Sequence, residues 1–160
     1  MNAGSVTVRI ATADDLAAMV SLINSAFAIE TFLEGHRTSQ EQLQERMQKG
    51  VFLVAQDLER NVIASVYVEI RGTHGYFGML AVDPMRQRSG LGRKMVEAAE
   101  GYCRAANCNV MDLDVLSLRT ELPLFYRKLG YVEVGTEEFR PSRPLRPEIK
   151  CHCIVMSKAL

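Results

Sequence analysis

Leu80-Ala81-Val82-Asp83-Pro84-Met85-Arg86-Gln87-Arg88-Ser89-Gly90-Leu91-Gly92-Arg93 is the stretch whose reading decides the fold. Its first residues end an apolar run, Tyr76 to Val82, that reads as a strand. Asp83-Pro84 stops that strand, being a turn dipeptide that cannot continue inside a sheet. Its last residues open a helix from Gly90 to about Ala106, with Leu91, Met95, Ala98, Ala99 and Tyr102 on the inner face. The first turn of a helix has free backbone N–H groups and a partial positive charge, which suits an anion. Glycines at 90 and 92 remove side chains that would hold a phosphate off the backbone, and Arg88, Arg93 and Lys94 add mobile positive charge. The expectation is a phosphate-bearing ligand.

The type of phosphate ligand is narrowed by spacing. A P-loop needs four residues between its glycines and then Lys-Ser or Lys-Thr, which this segment lacks. A dinucleotide fingerprint needs a third glycine where Met95 stands, and belongs to the first strand–helix unit of an alternating chain. Here the turn follows three or four strands. A lone Gly-x-Gly also fits an ordinary helix start, so the pattern alone does not decide between a ligand and a bare turn.

Working outward, Val6, Val8 and Ile10 alternate with polar residues as in a half-buried strand. Thr12 then caps a helix with Leu16, Met19, Ile23 and Phe27 at helical spacing and Asp14 and Asp15 in its first turn. Thr38 and Glu41 have capping-box spacing and open a short helix to Lys49, stopped by Gly50. Val51 to Gln56 and Val62 to Ile70 read as a hairpin about the polar link 57–61. Val110 to Leu116 is a strand with Met111, Leu113 and Val115 on one face and Asp112 and Asp114 on the other. Thr120 starts a short helix with Leu122, Phe125 and Leu129 inward and Gly130 past its end. Tyr131 to Val134 and Cys151 to Met156 complete a mixed α/β (α+β) pattern, a mostly antiparallel sheet of six or seven strands with helices on both faces. Between those last strands, Arg140, Arg143 and Arg146 alternate with prolines in an extended loop.

Composition excludes several classes. The 160 residues, a single domain over 1–160, balance 19 basic against 19 acidic side chains, which argues against a nucleic-acid binder held by counterion release. No apolar run reaches the roughly 18 residues of a spanning helix, and Met1 to Val8 lacks a signal-peptide pattern, so no membrane role and a cytoplasmic location are expected. Cys103, Cys108, Cys151 and Cys153 then read as reduced thiols. No metal is expected: His152 would point away from Cys151 and Cys153 on a strand, and a fourth ligand is missing.

The order Leu80-Ala81-Val82-Asp83-Pro84, Gln87-x-x-Gly90-x-Gly92 and helix resembles motif A of the GNAT superfamily of acetyl-CoA-dependent N-acetyltransferases. Leu124-Phe125-Tyr126-Arg127-Lys128-Leu129-Gly130-Tyr131 resembles that family's downstream Tyr-x-x-Leu-Gly-Phe/Tyr segment, and the order of elements agrees over nearly the whole chain. The resemblance implies acetyl-CoA as co-substrate, no metal, and transfer of acetyl to a primary amine by direct attack in a ternary complex. It implies that strand 76–82 carries a bulge and parts from strand 110–116, with the pantetheine arm in the gap. Leu80, Ala81 and Val82 would meet that arm, and the segment Gln87, Arg88, Ser89, Gly90, Leu91, Gly92 and Arg93 would hold the pyrophosphate. Tyr126 matches the family's tyrosine that protonates the departing sulfur.

The chemistry is consistent with those roles. Amine attack on a thioester builds negative charge on the carbonyl oxygen, which a fixed backbone N–H stabilises. A phenol can hydrogen-bond or protonate the leaving thiolate. The general base is open among Asp114, Glu69, His74, Glu34 and water. Asp114 matches a position where certain protein N-terminal acetyltransferases carry Glu, whereas Tyr76, on the strand where other members place a base, is a poor one. Arg119 stands where many members have Asn. The acceptor, a small molecule or a peptide N-terminus, is expected to enter between loops 30–37 and 139–149, whose arginines would favour an acidic acceptor if they face the site. A homodimer is open. The alternatives are a non-catalytic acyl-CoA sensor, a protein N-terminal acetyltransferase and a nucleotide-binding domain.

Overall fold

Apolar alternation builds the strands and their burial orders the layers. The structure, a computed structural model, describes residues 5–140 and 145–160. Its strands are β1 (Thr7–Ile10), β2 (Val51–Gln56), β3 (Val62–Arg71), β4 (His74–Val82), β5 (Val110–Leu116), β6 (Val132–Glu138) and β7 (His152–Ala159). They form a seven-stranded sheet in the order β1-β2-β3-β4-β5-β7-β6. Every pairing is antiparallel except β4–β5, which is parallel.

The helices are α1 (Leu16–Ala26), α2 (Gln40–Met47), α3 (Leu91–Ala105) and α4 (Leu122–Lys128). They cover opposite faces of the sheet. On one face α3 buries Leu91, Met95, Val96, Ala99 and Cys103 against Val66, Phe77, Met111 and Leu113. Complete burial of a side chain such as Leu91 or Met95 is worth about 1.5–3 kcal/mol, which is what holds an amphipathic helix to a sheet. On the other face α1 packs Leu16, Met19 and Ile23 with Leu43 of α2 over Phe52, Val54 and Tyr67. The Asp112 and Asp114 side chains stand on the face of β5 opposite the buried Met111, Leu113 and Val115.

Several boundaries differ from the expected ones. Ser39, not Thr38, caps α2, accepting from the Gln42 amide at 3.2 Å. Thr38 instead is buried and exchanges two hydrogen bonds with the Asn24 carboxamide, at 2.9 and 3.1 Å. A 3-10 turn over Ala13–Asp15 precedes α1, and Asp15 folds back to accept from the Thr12 amide and pair with Arg9. Glu121 rather than Thr120 flanks the start of α4, whose buried side chains are Pro123 and Tyr126. Leu122, Phe125 and Leu129 are half-buried beside them.

The sixth strand runs on to Glu138, past its expected end at Val134. It is a sheet edge with every residue exposed, so burial imposes no alternation on its sequence. Loops 30–37 and 139–149, expected to flank an opening, are joined: Leu33 and Leu145 form an antiparallel bridge, and the Arg146 amide donates to the Phe32 carbonyl. The Arg146 Nε donates to the carbonyl of Thr31. Arg143 lies outside the described residues. Among the described residues no helix is long and apolar enough to cross a membrane.

Candidate active site

The parallel pairing of β4 and β5 lasts three residues, from His74↔Val110 to Tyr76↔Asp112. Beyond it the strands part, so the β5-facing edge of β4 from Phe77 to Val82 has no strand beside it. On its other edge β4 bulges. Tyr67 of β3 faces Gly78 and Ser65 faces Ala81, so Met79 and Leu80 together oppose Val66. Met79 takes a φ of +53°, a left-handed conformation that costs a non-glycine residue about 1–3 kcal/mol and is found chiefly where a site requires it. Bulge and parting together leave backbone groups around Leu80 turned out of the sheet ladder beside an apolar-walled gap.

A cavity of about 710 Å³ occupies that gap. Tyr76 to Leu80 form one wall and Leu113 to Leu116 the other, with Phe125 and Tyr126 of α4 between them. Glu30, Leu33 and Arg37, with Phe139 and Arg140, close the side under the Leu33–Leu145 bridge.

Past Val82 the chain enters the turn that leads to α3. Asp83 accepts from the Met85 amide and pairs with Arg86, which also reaches Asp57 in the β2–β3 hairpin at 3.1 Å. The turn is thus anchored to the sheet. Arg88 (φ +67°) and Gly90 (φ +84°) take left-handed conformations, and Ser89 Oγ donates to the Arg86 carbonyl. Gln87, Arg88 and Gly90 are exposed, so the amides opening α3 look outward. A Cβ at Gly90 would meet nothing, so its glycine answers to the φ value alone. At Gly92 the structure adds a packing reason: a Cβ there would come within 3.3 Å of the Phe125 ring. That position lets α4 approach α3. Two of the expected mobile cations are tied down, since Arg93 pairs with Glu97 and Lys94 donates to the Val6 carbonyl.

Tyr126 is 5% exposed and edge-packed by Phe77, Phe125 and Tyr131. Its hydroxyl has no hydrogen-bond partner among the described residues, and the side chain lines the cavity. Burial pushes its pKa well above the ordinary phenol value; nearby Arg119 pulls the other way and Asp114 adds to the rise. The phenol therefore keeps its proton throughout the neutral range. Arg119 bonds Glu30 at 2.9 Å and Glu121 at 2.7 Å, tying the segment after α1 to the start of α4. Glu30 is 3% exposed, and a carboxylate so buried stands only when paired.

Asp114 Oδ1 accepts a 2.8 Å hydrogen bond from the Tyr76 hydroxyl, across the gap between β4 and β5. Glycine at 78 makes this possible, because a Cβ there would lie 2.7 Å from the Tyr76 oxygen. Burial and the Asp114 charge both raise the Tyr76 pKa, so Tyr76 stays a donor. Of the other candidate bases, none lines the cavity. Glu69 is engaged by Arg71 and Tyr67, which lowers its pKa. His74 pairs with Asp112 at 2.7 Å, where β4 and β5 still touch. Glu34 is exposed.

Sequence reasoning missed the Arg119–Glu30 pair, the Tyr76–Asp114 bond and the place of Arg46 in the cavity wall. No signal local to those residues marks them, since each partner is remote along the chain. The cysteines are free thiols, with Cys103, Cys108 and Cys153 buried. Among the described residues no cluster of His, Cys, Asp and Glu could hold a metal ion.

The comparisons agree with this geometry. Among solved structures, the ribosomal-protein-S18-alanine N-acetyltransferase from Escherichia coli is similar, with a TM-score of 0.77 at 17% identity over 96% of this chain and 93% of that one. A GNAT superfamily phosphinothricin acetyltransferase from Sinorhizobium meliloti, in complex with acetyl-CoA, gives 0.76 at 18% identity over 98% and 89%. The ribosomal-protein-alanine N-acetyltransferase from Brucella melitensis gives 0.74 at 20% identity over 96% and 99%. At such identities the likeness is one of fold. No curated protein matches the chain. The model of the acetyltransferase (GNAT) domain matches residues 16–142, most of the chain and all of the bulged strand, the turn and α4. With the parted strands, the left-handed turn and that match in hand, the chain belongs to the GNAT family of acetyltransferases.

Proposed function

We propose that the protein moves an acetyl group from acetyl-CoA to a primary amine, by direct attack within a ternary complex. The observation that carries this reading is the unpartnered Tyr126 hydroxyl opening into a cavity whose walls are the parted strands. Acetyl-CoA fits the features present: the parted edge of β4 can hydrogen-bond an amide-bearing arm, and the amides at the start of α3 suit a diphosphate. Two of the similar structures support the same reading, one being a complex with acetyl-CoA and the other an N-acetyltransferase.

In this reading Asp114 takes the proton that the ammonium must lose before attack, directly or through a water. Its Oδ1 is held by Tyr76, and Oδ2 has no partner among the described residues, leaving it to face the amine. The nitrogen then bonds to the acetyl carbon while the carbon–sulfur bond breaks. Backbone N–H groups beside the bulge meet the charge that develops on the carbonyl oxygen. Tyr126 gives its proton, or a hydrogen bond, to the departing thiolate; a cysteine nucleophile is not required, and Cys153, the thiol in the cavity wall, has its pKa raised by burial and by the Asp114 charge, which keeps it protonated.

Thermal melting with acetyl-CoA is the direct test. Ligand at about 100 times its Kd should add roughly 2.7 kcal/mol of stability. No protection at millimolar acetyl-CoA would remove the reading, and protection without coenzyme A release on any amine would turn it into a sensor. A second expectation concerns Gly92. Gly92→Val drives its branches into Phe125, which packs edge-on against Tyr126 with centroids 5.0 Å apart. The KM for acetyl-CoA should rise more than that for the amine, and kcat should fall by about tenfold as the phenol shifts. Unchanged steady-state constants would show that α4 does not depend on this contact.

A further inference from the structure

We infer that the acceptor carries an anionic group within a few bonds of its reactive amine, a free amino acid being the simplest case, and that Arg46 receives that group. The inference rests on the transfer reading above and specifies its second substrate.

Four arginines line the cavity: Arg37, Arg46, Arg119 and Arg140. Arg119 is neutralised by Glu30 and Glu121. Arg140 is exposed and faces Glu138 at 3.8 Å. The loop arginine Arg146, expected to meet an acidic acceptor, is spent on the carbonyl of Thr31. Arg46 is different. It is half-buried in the last turn of α2, its guanidinium 5.2 Å from the centre of the Tyr67 ring, and it forms no ion pair among the described residues. The ring and the helix C-terminus hold it in place, and its forked donors match a carboxylate.

Its location relative to the base gives the inference its chemistry. Arg46, Tyr76 and Asp114 line the same cavity, and the Tyr76 hydroxyl is the group that holds Asp114; Arg71, which covers the Tyr76 ring at 4.1 Å, is itself paired with Glu69. The cavity wall thus offers one fixed cation, Arg46, and one fixed carboxylate, Asp114. A small zwitterion matches both charges at once: its ammonium lies at Asp114 and its carboxylate at Arg46. Arg37, over the Phe27 ring at 5.3 Å, adds positive charge to the same wall. A peptide N-terminus offers an amide where this arrangement provides for an anion.

The test compares each proteinogenic amino acid with its α-carboxamide, reading coenzyme A release from acetyl-CoA. At least one amino acid should exceed its amide in kcat/KM by about 10–100-fold, the range of a charge-assisted hydrogen-bond pair. Arg46→Gln should raise the KM for that amino acid by about the same factor, leave kcat within about 3-fold and erase the preference over the amide. Arg46→Lys should restore only part of it, since a point charge replaces a fork. Equal use of acid and amide by the wild type, or an unchanged KM in a folded Arg46→Gln protein, overturns the inference while acetyl transfer stands. Calorimetric titration of the same amino acids into protein saturated with coenzyme A needs no turnover, and absence of heat with all of them overturns it too. Absence of acetyl-CoA protection in melting strikes the transfer reading instead.

Discussion

Tyr126→Phe should lower kcat by about 10²–10⁴-fold while acetyl-CoA still protects the protein from melting as it does the wild type. The two effects separate because of where the hydroxyl is. The ring packs among Phe77, Phe125 and Tyr131, and phenylalanine keeps those edge contacts. The oxygen makes no hydrogen bond within the described protein, so removing it orphans no partner and should leave stability within about 0.5 kcal/mol of the wild type. A loss confined to turnover then reads out the proton itself. Steady-state assay at saturating acetyl-CoA, beside a melting curve, makes the comparison. A variant with normal kcat would dismiss Tyr126 from the reaction, and a variant that fails to melt cooperatively would show that the hydroxyl is structural.

The largest expected effect on stability is at the junction from which β4 and β5 diverge. Gly75 pairs with Met111 there, and a Cβ at Gly75 would lie 2.4 Å from the Cys103 sulfur and 2.9 Å from its Cβ. The Cys103 Cβ is fixed to α3, so the clash cannot be relieved by rotating a side chain. Gly75→Ala should cost about 3 kcal/mol and lower Tm by roughly 6–12 °C. Cys103→Ala alone removes only the buried sulfur. Together the two substitutions should be less damaging than their sum by about 1–2 kcal/mol, because the second removes the closer of the two Cys103 contacts and leaves only its Cβ. Denaturant unfolding of the four proteins closes the cycle. Strict additivity would show that something other than the Cys103 sulfur limits the space beside Gly75.

How much of this was readable in advance depends on the range of the interaction. The two-residue alternation of Met111, Leu113 and Val115 and the helical repeat through Leu91, Met95 and Ala99 record burial directly, and the elements lie where those patterns place them. Asp83-Pro84 ended its strand as expected, because the restriction is local to the dipeptide. The extent of β6 was hidden because an exposed edge selects no period. The Gly-x-Gly spacing suggests room for a phosphate at Gly92 but says nothing of Phe125, a contact that only the folded pair of helices creates. The same holds for the site. Tyr76 meets Asp114 across 38 residues and Arg119 meets Glu30 across 89, and nothing near either residue in the chain announces its partner.

Beside the bridge between Leu33 and Leu145, Arg146 grips the backbone of Thr31 across 115 residues of chain. Closing so long a loop is entropically slow, and it must await the terminal hairpin. In the proposed reading the chamber for the amine is thus closed by a contact that needs the terminal hairpin in place, and a lesion near the C-terminus that breaks it would alter the choice of acceptor while leaving Tyr126 where it is.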